Sequence, residues 1–154
     1  MKPILAFYMG YSDSFNGQNY NSKNVYGSEI NTIKLAEALI DIYDIYIFVN
    51  IPEEDEIVYN NVTYLNSYKL NDFKKIDIMV IVRYINYFIY FRNIASKVYI
   101  WICDMIINPA YNGLLIEATA CNLITSLKPN INGLICLSEW HAKNIDNTVG
   151  IKDI

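Results

Sequence analysis

The chain has 154 residues, 53% hydrophobic and 18% charged, with a formal net charge of −4. That size suits one domain with a core that needs no disulfides, and the composition excludes a disordered chain. No basic stripe is present, so nucleic acid is not expected as a partner.

The first element, Ile4 to Met9, is a short apolar run and reads as a buried strand rather than a secretion signal. Gly10 to Val25 is polar and rich in Asn and Ser, a long loop of the kind that usually means function or disorder. From Ser28 to Ile40 the apolar residues fall at helical spacing, with Ser28 as the expected N-cap and Glu29 in the first turn, where a carboxylate suits the helix dipole. Ile45 to Val49 reads as a second strand, Pro52 to Glu56 as an acidic turn, and Val58 to Leu65 as a third strand at an edge. The continuous apolar run Asp77 to Val82 fits a strand covered on both faces. Tyr84, Tyr87, Phe88 and Phe91 then fall at i, i+3, i+4 and i+7 and predict a helix. Val98 to Ile102 is a strand, Leu114 to Leu127 a helix and Pro129 to Asn132 a turn. Gly133 to Leu137 is a last strand and Ser138 to Ile145 a last helix. Strands alternating with helices predict an α/β, Rossmann-like three-layer domain with a mostly parallel sheet, spanning residues 1–150.

Cys103, Cys121 and Cys136 are odd in number and not closely spaced, which predicts free thiols in a reducing, cytoplasmic setting. No Cys/His ligand spacing occurs, so no metal site and no cofactor are expected. The greasiest region, Ile76 to Ile107, is interrupted by Asp77, Arg83, Arg92, Lys97 and Asp104, so no membrane span is expected. Heavy use of Ile, Asn and Tyr is the mark of AT-rich coding, as in some large DNA viruses and AT-rich bacteria.

Ligands of open α/β sheets bind beyond the carboxyl ends of the strands. The strands end at Gly10, Asn50, Arg83, Asp104 and Ser138-Glu139. The loop from Gly10 runs into Gly27-Ser28-Glu29 at a helix N-terminus, where free N–H groups can meet an anion; a tight turn explains Gly27 equally well. This loop is neither GxGxxG nor a P-loop. Arg83 is the candidate cation for a phosphate or carboxylate, although a surface ion pair is its simpler reading. Asp104 suits a base for an attacking hydroxyl, or a helix cap. His141 is the only histidine, and a lone histidine on a helix is more often a packed or surface residue than a catalyst.

Three short stretches carry a resemblance. They are Tyr26-Gly27-Ser28-Glu29 with Leu35-Ala36-Glu37-Ala38-Leu39, then Ile100-Trp101-Ile102-Cys103-Asp104, then Leu137-Ser138-Glu139-Trp140-His141, following a first strand that ends in Gly10. In this order, over about Lys2 to Ile145, the chain resembles the N-terminal domain of GT-B glycosyltransferases, in particular glycosyltransferase family 4. The resemblance implies transfer of a sugar from a nucleotide-sugar donor to a glycan or other hydroxyl acceptor, with retention and without a metal. It implies that Gly10, Gly27, Ser28 and Glu29 face the donor diphosphate. It also implies that Arg83, Cys103, Ser138, Glu139 and His141 line the cleft and acceptor side, with Asp104 catalytic. Family members usually have a glycine where this chain has Tyr26, and many have a histidine where it has Cys103. The C-terminal nucleotide-sugar-binding domain is expected to be absent, so the isolated chain is expected to be inactive alone and to work with a separate C-terminal partner or as a homo-oligomer. The alternative expectation is a non-catalytic interaction module derived from such an enzyme, self-associating or partner-binding.

Overall fold

The structure, a computed structural model, describes residues 1–10, 12–21, 25–103 and 130–149. The described elements are β1 (Ile4–Tyr8), α1 (Gly27–Leu39), β2 (Asp44–Val49), β3 (Glu56–Tyr59) and β4 (Val62–Asn66). A 3-10 turn (Ser67–Asp72), β5 (Ile76–Val82), α2 (Tyr87–Tyr90), β6 (Ala95–Trp101), β7 (Gly133–Ile135) and α3 (Glu139–Val149) follow. The expected helix Leu114 to Leu127, along with Asp104 and Cys121, lies outside the described residues.

The seven strands form one sheet in the order β3-β4-β2-β1-β5-β6-β7. Every neighbouring pair is parallel except β3 with β4. The chain leaves β1 towards β2 on one side and resumes at β5 on the other, so the switch in strand order lies between β1 and β5. This is the α/β, Rossmann-like three-layer domain with a mostly parallel sheet that the alternation of runs implies.

Side chains alternate across the sheet with a period of two. Leu5 and Phe7 of β1, Ile45 and Ile47 of β2 and Val80 and Val82 of β5 pack on one face, where α1 contributes Ile33 and Ala36. Ala6, Tyr8, Phe48, Met79, Ile81 and Ile100 pack on the other, against Tyr87 and Phe91 at α2 and Ile145 of α3. The Tyr8 ring meets those of Tyr87 and Phe91 edge-on, at 5.2 and 5.4 Å between centroids, an arrangement that adds to the gain from burial. The continuous apolar run of β5 follows from its central place, since both of its faces are covered.

Four expectations are corrected. Val58 to Leu65 is not one strand but the hairpin β3–β4. Asn60 and Asn61 take φ of 48° and 60°, and two consecutive positive values are the signature of a type I′ turn, which asparagine tolerates. The edge strand is therefore β3. The Tyr84 to Phe91 stripe forms only one helical turn, because Phe91 is already extended at φ −124°; its rings still pack as a group. The last strand stops at Ile135, two residues early. Finally, Ser28 is not an N-cap. The cap position is Tyr26, which makes no side-chain cap bond, because the Ser28 hydroxyl is engaged elsewhere.

Candidate functional site

β1, β5, β6 and β7 bring their carboxyl ends to one edge. Tyr8 lies opposite Ile81, Val82 opposite Trp101, and Trp101 opposite Ile135. Continuing these registers sets Gly10 beside Arg83, and places Cys103 and Ser138 further along the same rim. The strand ends that sequence reasoning singles out at Gly10, Arg83 and Ser138 thus share one edge of the sheet.

Arg83 is the most unusual of them. It has φ 65°, and the Tyr84 N–H bonds back to the Val82 carbonyl at 2.8 Å across it. A three-residue loop closed by such a bond with positive central φ is a rare and strained γ-turn. A non-glycine residue in this state costs on the order of 1–3 kcal/mol, and such outliers cluster at functional sites. The turn is held on its strand side by the Arg83 N–H, which donates to the Trp101 carbonyl at 3.0 Å. The guanidinium lies over the Tyr84 ring, 5.6 Å from its centroid, and its Nη1 donates to Ser28 Oγ at 3.3 Å.

Ser28 in turn donates to Glu29 Oε2 at 2.9 Å. Both residues are buried, at 9% and 3% exposure, while Arg83 is half-buried. A hydroxyl thus couples the guanidinium to the carboxylate across 55 residues of sequence. Glu29 stands in the first turn of α1, where a carboxylate suits the helix dipole. Thr32 Oγ1 donates to the Ser28 carbonyl at 2.8 Å and ties the second turn of α1 to the first. Beside this cluster Gly27 has open space: an added Cβ would meet nothing within 4 Å. Gly10 is the opposite case, since its Cβ would lie 2.6 Å from Ser67 Oγ and 2.7 Å from the Tyr8 hydroxyl.

The second group is a cap. The His141 N–H donates to Ser138 Oγ and the Leu137 N–H donates to His141 Nδ1, each at 3.1 Å. This reciprocal arrangement mimics a capping box, with histidine in the place of the usual glutamate. His141 is buried at 4% exposure, so of the packed and surface alternatives it is packed, and its Nδ1 serves the start of α3. Ser138 and Glu139 are exposed. Trp140 is 65% exposed and is no core residue. Cys103 is half-buried, and its thiol lies 3.9 Å from the Trp101 carbonyl. It and Cys136 are free cysteines, and burial pushes the Cys136 thiol up. The catalytic candidate Asp104 lies outside the described residues.

Sequence reasoning missed Asn86, which is fully buried with both amide atoms unpartnered, and the Tyr87 hydroxyl, also unpartnered and pushed up to about 12 by burial. Nothing in the sequence marks either, because both sit within an apolar stripe. Among the described residues no group of His, Cys, Asp and Glu could hold a metal, and no described helix is long and apolar enough to cross a membrane. Compared with known proteins, the chain matches no family model, no curated protein and no solved structure.

Proposed function

We propose that this chain is a glycosyltransferase-like domain, the acceptor-binding half of an enzyme that transfers a sugar from a nucleotide-sugar donor with retention and without a metal. The observation that supports it is the strained Arg83 turn, which carries a guanidinium to the N-terminal end of α1 at the β1/β5 switch. A cation, a helix N-terminus and a glycine with open space above it suit a diphosphate. In this reading the donor diphosphate meets Arg83 and the first turn of α1 at Gly27. Glu29 holds Ser28 and balances the guanidinium when no anion is bound. Asp104, one residue beyond Cys103, takes the proton of the acceptor hydroxyl. A C-terminal domain of such an enzyme grips the nucleotide. Without that domain the donor is only half held and the orientation that lowers the barrier is lost, so the domain alone binds but does not turn over.

Backbone amide NMR during titration with a panel of nucleotide sugars tests the reading. Shifts are expected around Gly27, Ser28 and Arg83 with one donor class, and the affinity should fall about tenfold or more in Arg83→Ala, which removes a charged partner of the phosphate. Shifts confined to other parts of the sheet would contradict it.

A second reading, an interaction module, is favoured by one feature. An apolar groove of about 340 Å³ runs along the α1 face, lined by Leu35, Leu39, Ile78, Tyr99, Trp101 and Ile135 among others. An apolar surface of this kind often marks a protein contact. Light scattering that gives a concentration-independent monomer would remove self-association from this reading.

A further inference from the structure

The segment that follows Arg83 does not form the element its pattern calls for. Tyr84, Tyr87, Phe88 and Phe91 lie at helical spacing, yet α2 is a single turn, Tyr87–Tyr90. The chain entering it is wound more tightly. The N–H groups of Tyr87, Phe88 and Ile89 donate to the carbonyls three residues back, Tyr84, Ile85 and Asn86, at 3.3, 3.2 and 2.9 Å. The four-back bonds of an α-helix begin at Tyr90, whose N–H donates to the Asn86 carbonyl at 3.3 Å. Tight 3-10 winding is common at helix ends. Here it starts directly after the left-handed Arg83, and it has a cost at Asn86.

On a regular helix Asn86 would lie opposite the ring stripe, on one face with Ile89 and Tyr90 at i+3 and i+4. Those two residues are 51% and 50% exposed. Asn86 is 0% exposed instead, and among the described residues neither its Oδ1 nor its Nδ2 has a hydrogen-bond partner. The Tyr87 hydroxyl next to it in sequence is buried in the same condition. A buried amide without partners loses its hydration and gains nothing in exchange. Such groups in a native structure call for a reason, and a store of strain is one. A left-handed arginine and an orphaned amide thus stand three residues apart, within a pattern whose regular helix would relieve both.

We infer that residues 83–91 are a two-state switch. In the state described above, Arg83 is left-handed, its guanidinium reaches Ser28, and Asn86 is buried. In the other, Arg83 takes a right-handed conformation and the helix gains a turn through Tyr84 to Asn86. The amide then faces water beside Ile89 and Tyr90. The latch on the first state is the chain from Arg83 Nη1 to Ser28 Oγ at 3.3 Å and from Ser28 Oγ to Glu29 Oε2 at 2.9 Å. The rings of Tyr87 and Phe91, packed on Tyr8, anchor the far end and keep the change local. Release withdraws the guanidinium from the start of α1 and so regulates the Arg83 crevice. That last consequence rests on the reading above; the two states themselves do not.

NMR of the whole chain without ligand tests it. Relaxation dispersion should show microsecond-to-millisecond exchange at residues 83–88, with a minor state populated at about 0.1–10%. The Cα shifts of that state should be helical from Tyr84 to Asn86. Ser28→Ala opens the latch, and the minor state should rise about tenfold, the scale of one lost hydrogen bond to a charged group. Asn86→Leu fills the buried position without an orphaned amide, and the minor state should fall about tenfold. The two variants push in opposite directions, so a folding failure of one leaves the other decisive. A parent without exchange whose Ser28→Ala variant keeps the parent's Cα shifts would overturn the inference, as would undiminished exchange in a folded Asn86→Leu. No nucleotide sugar enters this experiment, so its failure is distinct from failure of the donor titration.

Discussion

The two glycines at the carboxyl edge have opposite physics. Gly27 begins α1 with open space where a Cβ would stand, whereas Gly10 is hemmed in by Ser67 and Tyr8. Gly27→Ala is therefore expected to raise stability by up to about 1 kcal/mol, since alanine loses less backbone freedom on folding. The same methyl would stand where the donor diphosphate is proposed to approach, so nucleotide-sugar affinity should fall as stability rises. Gly10→Ala is expected to lower stability by about 1–3 kcal/mol through overpacking. Urea unfolding of both variants checks the pair, and a destabilised Gly27→Ala with unchanged affinity would remove Gly27 from the site. Gly27 was legible in the sequence as a glycine before a helix, but its open surroundings were not, because free space is a property of what packs nearby. The Arg83 turn was equally hidden. The sequence marks a cation at a strand end, and only the backbone shows the positive φ.

Among the elements, the apolar runs and helical spacing located β1, β2, β5, β6 and α1 to within a few residues, because each is held by burial of the pattern that predicts it. The errors lie where burial does not decide. The β3–β4 hairpin was read as one strand because Asn60-Asn61 is a weaker turn signal than Asn-Gly. The α2 turn was read as a longer helix because rings at helical spacing pack as well around one turn as around two. An electrostatic tie also went unread. The Ile4 N–H at the start of β1 donates to Asp77 Oδ2 at 2.9 Å, and Lys75 lies 3.2 Å from the other oxygen. The backbone bond and then Lys75 hold the Asp77 carboxyl below its usual range. A depressed folded value stabilises above the unfolded pKa of about 3.9 and is lost as pH falls through the folded value. Asp77→Asn should therefore be less stable than the parent near neutral pH, with the difference fading in acid below the usual carboxylate range. A difference independent of pH would show that the charge on Asp77 contributes nothing.

At the scale of the whole molecule, the sheet places its chemistry on one edge and its apolar packing on two faces. The strand-end rule alone pointed to Gly10, Asn50, Arg83 and Ser138 at that edge, since parallel strands share a direction and therefore a rim; its remaining candidate, Asp104, lies outside the described residues. It did not separate the residues that face a ligand from those that serve the fold. Ser138 and His141 look like site residues in the sequence, yet they close the start of α3. Ser28 looks like a cap, yet it joins Arg83 to Glu29. Each uses a group common to both roles, and the distinction rests on contacts between segments far apart in the chain.

Thermal unfolding against a panel of nucleotide sugars, for the parent and for Arg83→Ala, tests most directly whether the Arg83 crevice holds a donor. Ligand at about 100 times its dissociation constant adds about 2.7 kcal/mol of stability, so a clear upward shift is expected with one donor class in the parent and a much smaller one in the variant. A chain that melts cooperatively with no shift for any donor, or an equal shift in Arg83→Ala, would contradict the account.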